Sequence, residues 1–299
     1  MRDVLSLHFN GVITIRNGDG IMKSEVVKHQ VRNHLKSLKR TITHLRKKWK
    51  YRHSGDSDVY WISLGENCLP DDILRRHNRK SFSSIFSSGR SNIEYILQME
   101  KDNYQNLLDK THLQHFPDGD HSVVRSTYYK HCVGQYSERH MLGFEFTHHD
   151  PLSISADKQT FKRRIERQLA WRGNKNFVFL YHHRVTADSD LALLRAHLNE
   201  LLSLYNAKGC ECEVVLFYQN IVPQETQKRI DFTPHHSGLL EFACHTHEIW
   251  GGEDQDTFWA RKDDALFTEM FDTVDRYNLS KGESRREPAP VTTDTGMPV

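Results

Sequence analysis

Apolar runs bounded by polar turns recur along the chain, and their two periods separate strands from helices. Val59-Tyr-Trp-Ile-Ser-Leu-Gly65 reads as a strand that ends on a glycine. In the segment that follows, Leu69-Pro-Asp-Asp-Ile-Leu-Arg-Arg76, Pro70 suits a first helical turn, where a missing backbone N–H costs nothing. Asp71 and Asp72 precede Arg75 and Arg76, the order a helix dipole favours. Phe177–Tyr181 and Val214–Tyr218 are apolar runs of strand length. Between them Leu191, Leu194, Leu198, Leu201 and Tyr205 share one helical face, with Asp188 as the cap and Gly209 as the stop. Strand, amphipathic helix and strand at this spacing predict a right-handed βαβ unit with parallel strands. Leu239–Cys244 adds a strand and Met141–Thr147 alternates like another. Further helices are expected from the capping box Ser91-Asn-Ile-Glu94 towards Leu108, from Asp157 to about Gly173, and from Asp263 to Val274. The fold class expected is α/β, a mostly parallel sheet flanked by helices.

Residues 23–52 carry a different pattern. Val27, Val31, Leu35, Leu38, Ile42, Leu45 and Trp49 form one apolar stripe at helical spacing, among eleven Lys or Arg and one acidic residue, Glu25. This predicts a basic amphipathic helix in an N-terminal extension, residues 1–57. It would dock on the body of the protein, self-associate, or meet an anionic partner. Residues 58–279 are expected to form one catalytic-type domain. From Ser280 onward Pro, Glu, Thr and Gly without periodicity predict a disordered tail, residues 280–299.

Composition narrows the class without choosing a function. A formal net charge of +2 over 299 residues gives no global field towards nucleic acid. No apolar run approaches the ~20 residues that span a bilayer, and the first residues are too broken for a secretory signal. Five scattered cysteines suit a reducing compartment, so a cytoplasmic location is expected.

Twenty histidines are unusual, and many follow proposed strands. Ligands bind parallel sheets beyond the carboxyl ends of the strands. There the sequence places Gly65 to Cys68, His148-His149-Asp150, His182-His183-Arg184, and His245 with His247. His245-Thr-His247 has a spacing that suits a metal, but no matching ligands complete the set, so no metal site is assigned. Cys68 would open a helix, next to unpaired backbone N–H groups that favour a thiolate. It is the candidate nucleophile, His149 the candidate base with His148 as its alternate, and Asp150 the group that orients the base. Backbone amides near Gly65 and Cys68, helped by the Asn67 side chain, would hold an oxyanion, with His183 and Arg184 as binding residues. The bland reading of Cys68 is a small buried thiol filling a strand–helix joint.

Ile62-Ser-Leu-Gly-Glu-Asn-Cys-Leu-Pro70, the Leu74-Arg-Arg-His77 that follows it, and His148-His-Asp-Pro151 together resemble a family of papain-like cysteine peptidases of unknown function. Arg163-Arg-Ile-Glu-Arg167 resembles that family's double-arginine helix. The resemblance implies Cys68 as nucleophile with His149 as partner, and an α+β papain-like fold as the alternative to the parallel sheet. The chain departs from the family's Pro-Phe-Asp-Trp at Ser81-Phe82-Ser83-Ser84, with Ser83 where an aspartate is usual. The Gly-x-x-Cys turn between strand and helix also resembles serine-esterase arrangements and Cys-dependent acetyltransferases of capsule synthesis. The function expected is therefore a thiol-dependent acyl enzyme, a hydrolase of amides or esters or an acyltransferase. An acyl-bearing or glycan substrate, in glycan or cell-surface polysaccharide metabolism, suits it. No bound cofactor is expected, and an acyl-CoA donor would serve if the enzyme transfers. The alternative is a catalytically weakened binding or scaffold protein of the same fold, docking through its basic helix.

Overall fold

The computed structural model describes residues 59–284, so the predicted basic helix of residues 23–52 lies outside the described residues. The central sheet has five strands in the order β1 (Val59–Gly65), β6 (Asn176–His183), β7 (Glu213–Ile221), β9 (Leu239–Thr246), β8 (Arg229–Pro234). The first four are parallel, and β8 is an antiparallel edge on β9. The fold is α/β, a mostly parallel sheet with helices on both faces.

The strands read as nearly unbroken apolar runs because both of their faces are covered. Phe177, Phe179 and Tyr181 of β6, with Val214 and Leu216 of β7, enter one core with α4 (Leu191–Tyr205) and α2 (Ile93–Lys101). Val178 and Leu180, with Val215 and Phe217, enter a second core with α1 (Leu69–Arg76) and α6 (Asp264–Ser284), which follows the single turn α5 (Gln255–Phe258). Burying each strand on alternate sides is what makes its register unique, since a slip of one residue would exchange the two cores.

Several elements differ from the sequence expectation for identifiable reasons. Met141–Thr147 is not a strand of the parallel sheet. A short 3₁₀ turn, Glu138–Met141, precedes β5, which is only Glu145–Phe146. β5 belongs to a second, antiparallel sheet in the order β2 (Gly89–Arg90), β5, β4 (His121–Ser126), β3 (Leu113–Asp118). The β3–β4 hairpin went unpredicted because His115, Pro117 and His121 interrupt its alternation. α2 is capped by Asn92, whose side chain accepts from the Tyr95 N–H, and it ends at Lys101 rather than near Leu108. Asp190, rather than Asp188, caps α4. α3 (Ser155–Trp171) starts before Asp157, which is thereby freed for a contact described below. α6 continues to Ser284, past the expected end at Val274 and into the segment expected to be disordered. Tyr277 packs on Phe232, and Asn278 and Lys281 both reach Glu213, so the last turns have partners that hydropathy alone does not reveal.

One consequence concerns acid stability. His182 is buried against Phe217 and Trp250, with ring centroids 4.9 and 5.5 Å away. Burial pushes its pKa down to about 3 from an ordinary 6.5. A depressed folded-state pKa contributes stability that is present above pH 6.5 and is lost as pH falls towards 3, because the unfolded chain takes the proton first. About 2 kcal/mol should be lost between pH 6.5 and 5 on this account. Thermal melts across that range should show the decline, and His182→Phe, which suits the aromatic surroundings, should flatten it. An equal slope in the variant would assign the decline to other groups.

Candidate active site

Cys68 stands where β1 gives way to α1. The joint depends on Gly65, whose φ of 119° lies in the region that glycine adopts freely. A Cβ there would come within 3.0 Å of the backbone of His182, the residue paired with Gly65 across the sheet. The chain turns there through Glu66 and Asn67, and Cys68 becomes the N-cap of α1. The Asn67 side chain accepts from the Leu69 N–H at 3.0 Å, closing the first turn.

Two side chains from the segment after β5 meet the thiol. Thr147 Oγ1 lies 3.7 Å from Cys68 Sγ and His148 Nε2 lies 3.8 Å from it. The imidazole beside the sulfur is thus that of His148. His149 points elsewhere: its Nδ1 is 2.9 Å from Asp157 Oδ1, and its ring packs edge-on against Phe161. Asp150 accepts from the N–H groups of Leu152 and Ser153 and pairs with His115 Nε2 at 2.9 Å. Its carboxylate organises the turn into α3 and is bonded to a histidine from another strand. The His148 imidazole arrives from the second sheet, whereas Cys68 belongs to the first.

The thiol's environment opposes ionisation on balance. Burial pushes the Cys68 pKa up, and the negative charges of Asp71 and Glu145 add to it. The Thr147 hydroxyl and the Arg90 cation act the other way. The thiolate expected from the helix N-terminus is therefore not the favoured resting form. Glu145 itself is held between Arg90 and Arg125, at 2.8 and 2.7 Å.

Behind the Gly-x-x-Cys turn lies a buried group that the sequence reading missed. The Glu66 side chain is 0% exposed, and its carboxylate meets His183 Nδ1 at 2.5 Å and His140 Nδ1 at 3.2 Å. The Arg184 backbone N–H donates to the same carboxylate at 3.2 Å. Burial alone would raise the Glu66 pKa, but the hydrogen bonds and charges of the two histidines overcome it and bring it down to about 2. Both ring nitrogens of His183 are engaged, Nε2 with Ser189 Oγ at 2.9 Å. The Arg184 guanidinium donates to the Trp250 carbonyl at 2.6 Å. His183 and Arg184 thus support the turn from behind. The available signal was an acidic residue in a short turn between an apolar strand and its helix, which has to find a hydrogen-bonding or cationic partner when buried.

On β9, three strands across the sheet from β1, His245 Nε2 pairs with Asp231, and beyond its end His247 Nε2 pairs with the Thr226 carbonyl. The two imidazoles do not converge, and among the described residues no cluster of three or more His, Cys, Asp or Glu is arranged to hold a metal ion. Nor is any described helix long and apolar enough to cross a membrane.

No curated protein matches the chain, and no solved structure does. A family model does match, over residues 59–220, which include the first three parallel strands, Cys68 and His148. The chain therefore belongs to the family described as "Putative papain-like cysteine peptidase (DUF1796)".

Proposed function

We propose that the protein is a thiol-dependent acyl enzyme in which Cys68 is the nucleophile and His148 the proton acceptor. The observation that carries this reading is the 3.8 Å approach of His148 Nε2 to Cys68 Sγ, from an element far away in sequence. Catalytic hydrogen bonds are often long before substrate binds and tighten in the complex. Sγ attacks the carbonyl carbon of an amide or ester while its proton passes to His148. The carbonyl electrons move to oxygen, where the Cys68 N–H and the Asn67 side-chain amide are the candidate donors. Collapse expels the leaving group, which takes the proton from His148, and leaves a thioester on Cys68. Water, or a hydroxyl of a glycan acceptor, then attacks that thioester with His148 again as base. Hydrolysis and transfer differ only in this second nucleophile, and an acyl-CoA would be a suitable donor for transfer.

In this reading the thiol is activated by its base at the moment of reaction, since burial opposes a standing thiolate. Alkylation of Cys68 by iodoacetamide, followed by peptide mapping, tests it. The rate at neutral pH should lie below that of a free thiol with a pKa of about 8.5, and its midpoint should fall above that value. A midpoint below the free-thiol value would replace this account with a preformed thiolate–imidazolium pair.

The second reading, a binding protein descended from such an enzyme, also draws support from that upward shift. An acyl ester such as p-nitrophenyl acetate separates the two. The enzyme should release a burst of nitrophenol matched to acylated Cys68, whereas a binding protein should release none.

A further inference from the structure

Helix α3 carries two guanidinium groups that their surroundings satisfy only in part. Arg164 lies over the Phe161 ring at 4.9 Å, and Arg167 over Phe82 at 4.1 Å. Arg167 Nη2 donates to the Ser83 carbonyl at 2.5 Å. Arg164 Nη1 and Arg167 Nε are shielded from solvent and have no hydrogen-bond partner among the described residues. The two side chains are three residues apart, on neighbouring positions of one helix face, where like charges repel. Burial lowers the pKa of both, and for Arg164 the nearby Arg167 cation lowers it further. The carboxylates that act on Arg164 are already occupied. Asp71 accepts from Ser63 Oγ at 3.1 Å and from Lys80 Nζ at 2.7 Å. Asp157 holds His149 and the Asp150 N–H.

Arg164 is linked to the thiol through intermediate residues. Phe161, beneath Arg164, also packs against His149, whose neighbour in the chain is the His148 beside Cys68. Asp71 lies in the first turn of the helix that Cys68 caps, and its charge acts on both Cys68 and Arg164.

We infer that Arg164 and Arg167 form an anion subsite beside Cys68 that takes a carboxylate or phosphate carried by the acyl substrate. The inference rests on the thiol reading above and specifies the substrate class. Guanidinium forks match the oxygens of either group, and a bound anion would supply the missing acceptors while relieving the repulsion between the two cations.

Two alkylating agents of similar size test it. Iodoacetate and iodoacetamide both lose iodide as the sulfur–carbon bond forms, but only iodoacetate brings a carboxylate. At Cys68 the ratio of iodoacetate to iodoacetamide rates should exceed that of glutathione by about tenfold, the worth of one charged hydrogen bond. Inorganic phosphate should lower this ratio, and Arg164→Gln or Arg167→Gln should bring it towards the glutathione value. A wild-type ratio equal to that of glutathione would overturn the subsite, whether or not either variant folds. If neither agent reacts at Cys68, the thiol reading falls instead. The subsite is then decided by calorimetric titration of the wild-type protein with inorganic phosphate, where no binding overturns it.

Discussion

Replacing His148 by alanine is expected to slow acylation of Cys68 by about 10²–10⁴-fold, the usual contribution of a positioned general base. The same change at His149 should act mainly on stability. His149→Ala removes a half-buried pairing with Asp157 and an edge-on contact with Phe161. Their combined loss is about 1–2 kcal/mol, with Cys68 still acylated. The contrast matters because the two histidines are adjacent in sequence and only their environments distinguish them. Rates of acylation by p-nitrophenyl acetate, beside thermal melts of both variants, check both halves. If His149→Ala abolishes acylation while His148→Ala leaves it intact, the roles are exchanged and the 3.8 Å contact has no catalytic meaning.

Glu66→Gln is expected to cost about 3–5 kcal/mol, because it removes the charge of a fully buried carboxylate and weakens the hydrogen bonds that it accepts from His183 and the Arg184 N–H. For a domain of this size that corresponds to a fall in melting temperature of roughly 6–20 °C. The wild-type carboxylate should also show its contribution in acid. Its folded-state pKa of about 2 lies below the ordinary 4.5. The stabilisation is therefore present above pH 4.5 and is lost as pH falls from there towards 2. Differential scanning calorimetry of wild type and Glu66→Gln at pH 7 measures the first effect, and the difference between the two should narrow below pH 4.5. Equal melting temperatures at pH 7 would show that the carboxylate is not what holds the turn.

How much of this was legible in the sequence depends on the range of each interaction. The strand, the Gly-x-x-Cys turn and the helix on which Cys68 sits are local, and hydrophobic period, Pro70 and the order of charges specify them together. The βαβ unit of β6, α4 and β7 was legible for the same reason, since both of its strands are buried on two sides and its helix carries one apolar face. Met141–Thr147 was misread because alternation shows a pleat and says nothing of which sheet will take it. Glu145 decides that question through Arg90 and Arg125, both from the second sheet. His183 looked like a binding residue on an open rim because its partner, Glu66, is 117 positions away. The choice between His148 and His149 was left open for a similar reason. Two adjacent residues after a strand point in different directions, and what captures His149 is Asp157, which lies in the first turn of a helix capped three residues earlier, at Ile154, and not at Asp157 as expected.

The central claim is that Cys68 forms the covalent intermediate with His148 as its base. Intact mass and peptide mapping after brief exposure to p-nitrophenyl acetate test it most directly, with wild type and His148→Ala treated in parallel at neutral pH. The account predicts one acetyl group on the peptide containing Cys68 in the wild-type protein, and its near absence in the variant over the same interval. Acetylation at Cys132 or Cys210 with Cys68 unmodified, or equal labelling of Cys68 in both proteins, would contradict it.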